Sequence, residues 1–264
     1  MTIELEDDVL KGFEKFRLSH KDRALFFMEN ERDFEAQLYA IRGALERNKE
    51  AEAKAAENIQ HMREEIDLLD PEDDRNAEHL IDHLTDMFHE SVYFDAAHSM
   101  AAVGMLAPFM ESLFVALFEA LREKNEPDLD ADPRRKGFQD PYWNPQLIIK
   151  KGEMGTDLVR GIKELAKFVG LEEFLPNRYE EILTALFAYR NNMFHNGFEW
   201  PLEKVEKFRS RMQNKHWPEA WFEHSAKNDV PWIYYMSEEF IQCCLTLVDQ
   251  LLDGVGKYLE ACET

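Results

Sequence analysis

Phe34-Glu35-Ala36-Gln37-Leu38-Tyr39-Ala40-Ile41-Arg42-Gly43-Ala44-Leu45 opens the run whose reading decides the fold. Alternate steps of four and three residues from Phe34 land on Leu38, Ile41, Leu45, Asn48, Glu52, Ala55, Ile59, Met62, Ile66 and Leu69. Nine of these eleven positions are apolar, giving a heptad seam that Asn48 and Glu52 interrupt. The residues from Lys21 to Leu69 contain no proline and are rich in Ala, Glu, Arg and Lys, a composition that favours helix. The spacing predicts a long helix, either a coiled-coil arm with a weak middle or a helix lying along its own domain. Asp70-Pro71-Glu72-Asp73-Asp74 is a charged break. It suggests an N-terminal helical arm over residues 1–75 and a helical bundle over 76–264.

Beyond the break, a helical stretch from Asn76 to about Phe94 leads into the most apolar part of the chain, His98 to Leu121, where Pro108 is expected to kink or divide the helix. Glu111 is conspicuous there. A carboxylate among Phe109, Met110, Leu113 and Phe114 is costly to bury unless it finds a cationic or hydrogen-bonding partner. Lys124 to Pro145 reads as loop, with Pro127, Pro133, Pro141 and the basic cluster Arg134-Arg135-Lys136. Helical spacing resumes at Thr156 through Leu158, Ile162, Leu165 and Val169 and stops at Gly170. A further apolar helix runs from Ile182 to Tyr189, and Ser237 before Glu238-Glu239 is a credible N-cap for a last one. Val230 to Tyr235 is a short extended segment or a connector. The expected fold is all-α, a multi-helix bundle of about six or seven helices with a long N-terminal helix.

The composition narrows the function. A 264-residue chain that is 45% hydrophobic can bury a real core. With 53 acidic and 31 basic residues its formal charge is −22, which disfavours a broad surface for DNA or an anionic membrane and requires any RNA to meet a local basic patch. Three cysteines, Cys243, Cys244 and Cys262, make no disulfide framework and fit a reducing, cytoplasmic setting. The acidic start Met1-Thr2-Ile3-Glu4 does not read as a signal peptide, and Met100 to Leu121 reads as a core helix rather than a membrane span.

The polar residues that look chosen for chemistry lie at Tyr189-Arg190-Asn191-Asn192-Met193-Phe194-His195-Asn196-Gly197. On a straight helix Arg190 and His195 point about 140° apart, so the Asn196-Gly197 stop is expected to turn the last residues and bring them together. Asn191 lies four residues before His195, on the same face, where its amide could orient the ring. The plainer alternative is that Arg190 pairs with a core carboxylate and His195 caps its own helix.

Arg190-Asn191-Asn192-Met193-Phe194-His195 resembles the RNxxxH signature of the HEPN superfamily, with Tyr189 and Asn196-Gly197 also typical of that motif's surroundings. The likeness covers about nine residues directly, plus a looser one between Met100 to Leu121 and the buried helix of such domains. It implies a helical homodimer with two facing motifs, often a metal-independent endoribonuclease in toxin–antitoxin or phage-defence systems. It implies no cofactor, an RNA substrate in a local cleft and, in some systems, an antitoxin protein. His195 would be the general acid or base for the ribose 2′-hydroxyl and the leaving oxygen, and Arg190 would hold the scissile phosphate. Asn191 would orient, and Glu111 is expected to be the acidic partner that holds Arg190 or His195.

Two other readings stay open. His79, His83, Asp86 and Glu90 form a polar stripe on one helix, and Asp86/His89 and Asp95/His98 each read DxxH, which suits either a metal-bound bundle or a solvated face. A non-catalytic helical dimer could bind a partner through the heptad arm and the Trp-rich segment from Pro201 to Val230, whose tryptophans read mainly as packing.

Overall fold

In the computed structural model, residues 18–28, 32–69, 74–125, 143–150, 153–228 and 230–263 are described. The acidic leader, Arg134-Arg135-Lys136 and most of the charged break lie outside them. Seven α-helices occur among the described residues: α1 (His20–Met28), α2 (Phe34–Asp67), α3 (Asp74–Asn125), α4 (Leu158–Val169), α5 (Tyr179–Asn196), α6 (Leu202–Lys215) and α7 (Glu238–Ala261). The fold is an almost all-helical multi-helix bundle. The long helix predicted from the heptad is α2, with 34 residues, but α3 is longer at 52. Pro108 does not divide α3. It lies inside one continuous helix, with its ring exposed to solvent.

Two antiparallel hairpins accompany the helices, and one of their strands covers the Val230 to Tyr235 stretch read as an extended segment or a connector. Strand β1 (Leu147–Lys150) pairs with β2 (Glu153–Thr156) from Leu147↔Thr156 to Lys150↔Glu153. Strand β3 (Phe222–Lys227) pairs with β4 (Val230–Met236), in register from Phe222↔Met236 to Ser225↔Ile233. An irregularity between Ser225 and Ala226 then places Ala226 opposite Pro231, where the proline would otherwise break the ladder. Asn228 turns this hairpin at φ 53, a left-handed conformation that asparagine tolerates.

The chain forms two compact units. One takes the residues up to Phe34, Ser112–Glu180 and the segment from Thr246, and the other takes Glu35–Glu111 and Glu181–Leu245. In the first, Asp157 caps α4 by accepting from the Arg160 N–H at 3.2 Å, and Gly170 ends it at φ 78. Ile162, Leu165 and Ala166 are buried, as their spacing predicts. The far half of α7 buries Leu247, Val248, Leu251, Leu252 and Val255. Gly256 on the same helix touches the chain at His20, where an added Cβ would lie 1.9 Å from the carbonyl oxygen. His20 is held there between Asp253 at 3.1 Å and Glu260 at 3.0 Å.

The second unit carries the heptad seam. Leu38, Ile41 and Leu45 are buried, and every seam position from Asn48 to Ile66 is half-buried between exposed flanks. Glu52 meets His98 of α3 at 2.6 Å, and the Arg63 guanidinium lies 4.6 Å over the Phe88 ring, so α2 and α3 run antiparallel here. An aromatic core gathers Tyr189, Trp200, Phe208, Phe222 and Tyr234, with ring centroids 5.1 to 6.2 Å apart. Trp217 and Trp221 are buried, as packing residues are. Ser237 caps α7 by accepting from the Phe240 N–H at 3.1 Å. Ala77–Arg122 is long and apolar enough to cross a membrane by length and composition, yet 61% of its most apolar window is buried within the protein.

Candidate functional site

Helix α5 positions the motif by burying its preceding turns. Ile182, Leu183, Ala185, Leu186, Ala188 and Tyr189 are buried, and the Tyr189 hydroxyl donates to the Tyr234 carbonyl at 2.9 Å. Burial pushes the Tyr189 phenol far above its ordinary range, opposed by a hydrogen bond with Ser99. Past this anchor the helix opens to solvent: Arg190 is half-buried, Asn191 and His195 are exposed, and Phe194 is 56% exposed.

The expected turn of the helix between Arg190 and His195 does not occur. Helix α5 continues through Asn196 and stops only at Gly197, whose φ of 72 is the left-handed cap and whose N–H donates to Met193 at 2.9 Å. Arg190 and His195 therefore keep the helical divergence of about 140°. Asn192 and Asn196 donate their amides to the Ala188 and Asn192 carbonyls, each at 2.9 Å. Asn191 instead accepts from Arg190 Nη1 at 3.3 Å. Asn191 lies four residues before His195 on the same helix face, and among the described residues no hydrogen bond joins Arg190 to His195. Among the described residues the His195 imidazole makes no hydrogen bond. Glu111 lies on α3 of the same unit and is half-buried.

The chain leaving the motif is clamped. Trp200, buried, donates its indole N–H to Gly197 O at 2.9 Å. The Glu199 carboxylate accepts from the Tyr93 hydroxyl at 2.7 Å and from Trp232 Nε1 at 3.1 Å, and these bonds hold it below the ordinary carboxylate range. Tyr93 meets Trp232 edge-on at 5.7 Å and His89 at 5.3 Å, while the Lys227 ammonium lies 5.2 Å over the Trp232 ring. Phe194 packs over α3 at Gly104, where an added Cβ would lie 3.3 Å from its ring.

The polar residues of α3 divide. His79, Asp82, His83, Asp86 and Glu90 are exposed along one helix, and among the described residues no group of three or more His, Cys, Asp or Glu side chains could hold a metal ion. Asp95 and His98 turn inward. His98 is buried, with Nδ1 on Glu52 and Nε2 lacking a hydrogen-bond partner among the described residues. Burial pushes the Asp95 carboxyl up to about 6; Glu52 and Glu223 reinforce the shift and His98 opposes it.

Known proteins supply no match: no family model, curated protein or solved structure is similar to the chain.

The function of this unit thus rests on its own chemistry. An exposed imidazole can accept or donate a proton, and a guanidinium can neutralise a phosphate with paired N–H donors. Sequence reading missed Tyr93, Trp232 and the role of Glu199. Tyr93 and Glu199 are 106 residues apart, and no spacing rule links them.

Proposed function

We propose that the protein is a HEPN-like, metal-independent endoribonuclease of the toxin or phage-defence kind. What supports this reading is the Arg190–Asn191 hydrogen bond, on the open end of an anchored helix and on the face that carries His195. His195 would take the proton of a ribose 2′-hydroxyl. The 2′-oxygen would attack phosphorus, the P–O5′ bond would break, and the leaving 5′-oxygen would regain a proton. Arg190 would balance charge building on the phosphoryl oxygens, Asn191 would orient, and Glu111 would be the positioning carboxylate. The divergence of Arg190 and His195 along a regular helix favours a site shared by two copies, in which one motif complements the other.

The test is cleavage of single-stranded and structured RNA in excess EDTA by wild type, His195→Ala and Arg190→Ala. Metal-free cleavage lost in both variants supports the proposal, and cleavage persisting in His195→Ala removes the catalytic assignment. Phe94 at 60% and Phe194 at 56% exposure favour a second reading, a non-catalytic dimer or partner-binding module. Its signature is a wild type inert toward RNA whose self-association weakens in Phe194→Ser.

A further inference from the structure

Most described lysines and arginines outside α6 make polar or ring contacts, as Lys21–Asp249, Lys49–Glu238 and Lys163–Glu180 illustrate. Helix α6 behaves differently. It carries Lys204, Lys207, Arg209, Arg211 and Lys215 against Glu203 and Glu206, so five positive charges less two negative leave +3 on a chain of −22. All five cations are exposed. Lys207 pairs with Glu203, whereas Lys204, Arg211 and Lys215 have no carboxylate within 4.0 Å among the described residues.

Their spacing makes one row. Lys204, Lys207, Arg211 and Lys215 fall within about 80° of the helix circumference and span about 16 Å along its axis. The buried face, Val205 and Phe208, lies to one side of the row and fixes the helix to its unit. The Arg211 guanidinium is steadied 5.7 Å over the buried Trp217 ring. Three of the four cations in the row, Lys204, Arg211 and Lys215, lack an ion-pairing carboxylate among the described residues, a local excess of positive charge that a line of phosphates would neutralise.

We infer that this row of α6 is a docking surface for the phosphate backbone of one RNA strand. The identity of the strand rests on the endoribonuclease reading; the charge complementarity does not. The acidic remainder of the chain repels the same strand, so binding is confined to the row and steeply salt-dependent.

The experiment measures binding of the full chain to a fluorescent single-stranded RNA carrying 2′-O-methyl groups, which keeps the phosphates and blocks attack by the 2′-oxygen. Four phosphate contacts give a slope of log affinity against log salt of about −3, and Lys204→Ala/Arg211→Ala/Lys215→Ala leaves about −1. Thermal melting of the triple variant should fall by no more than the loss of the one cation–π contact of Arg211 with Trp217. An unchanged slope and affinity in the triple variant overturn the surface, and a wild type that still cleaves unmodified RNA in EDTA leaves the catalytic reading standing. A slope lost in the triple variant beside a wild type inert toward unmodified RNA supports the surface and removes the catalytic reading. No measurable binding by wild type at about 50 mM salt also overturns the surface.

Discussion

The two halves of α5 live under opposite conditions. From Ile182 to Tyr189 the side chains are mostly buried, and the one polar group among the buried ones, the Tyr189 hydroxyl, is satisfied by the Tyr234 carbonyl. From Arg190 to His195 only Met193 is buried. A helix of even exposure could not do both jobs, since its polar end would fray without an anchor and its anchor would be inert without an open end. If the proposed endoribonuclease reading holds, this division lets substitutions in one half act on stability and in the other on cleavage.

That separation can be broken by experiment. His195→Ala should lower RNA cleavage by about 10²- to 10⁴-fold while changing stability by no more than about 0.5 kcal/mol; a large stability loss in chemical denaturation would show that the open half also holds the fold. Leu186→Ala, at a fully buried position, should cost about 3 kcal/mol, and a loss below about 1 kcal/mol would show that the anchor is loosely packed. Gly197→Ala places a side chain on a left-handed cap and should cost about 1 kcal/mol, read as a lowered melting temperature.

Half-exposed Asp95 tests the border between the two conditions. Its folded carboxyl titrates near 6, above its ordinary value of 3.8, so its contribution to stability is full below about pH 4 and is lost as pH rises through 6. Asp95→Asn should therefore raise stability at pH 7, on the order of 1 kcal/mol after solvent screening, and flatten the pH dependence between 4 and 6. A variant that melts in parallel with wild type across this range contradicts the shift.

Sequence legibility followed the same line between burial and exposure. The seam of α2 was readable because every inward position follows one period, and the Gly170 stop and the Ser237 cap because each does a local backbone job. Of the hairpins, only an extended segment at Val230 to Tyr235 was legible, as an alternative to a connector, and no strand pairing was. Strand β2, Glu153-Met154-Gly155-Thr156, is exposed at three of its four positions, so it lacks the alternation that half-burial imposes. β4 contains Pro231, tolerated only beside an irregular pairing that the sequence does not announce. For the candidate site, the residue types and helical context of Arg190, Asn191 and His195 were visible, but the geometry expected of them was not obtained. The left-handed Gly197 stops the helix one residue too late to turn His195, and side-chain bonds such as Glu199 to Tyr93 join distant segments without a periodic trace.

Glu52 occupies a seam position that would ordinarily hold an apolar residue, and it meets a buried histidine from the antiparallel helix. Uniform apolar seams permit neighbouring helices to slide by a heptad with little change in packing. Here such a slip would leave buried His98 without its carboxylate, a penalty that the partial exposure of Glu52 moderates. The pair acts as an alignment pin: it marks one position along α2 and α3 as correct and makes the alternatives expensive.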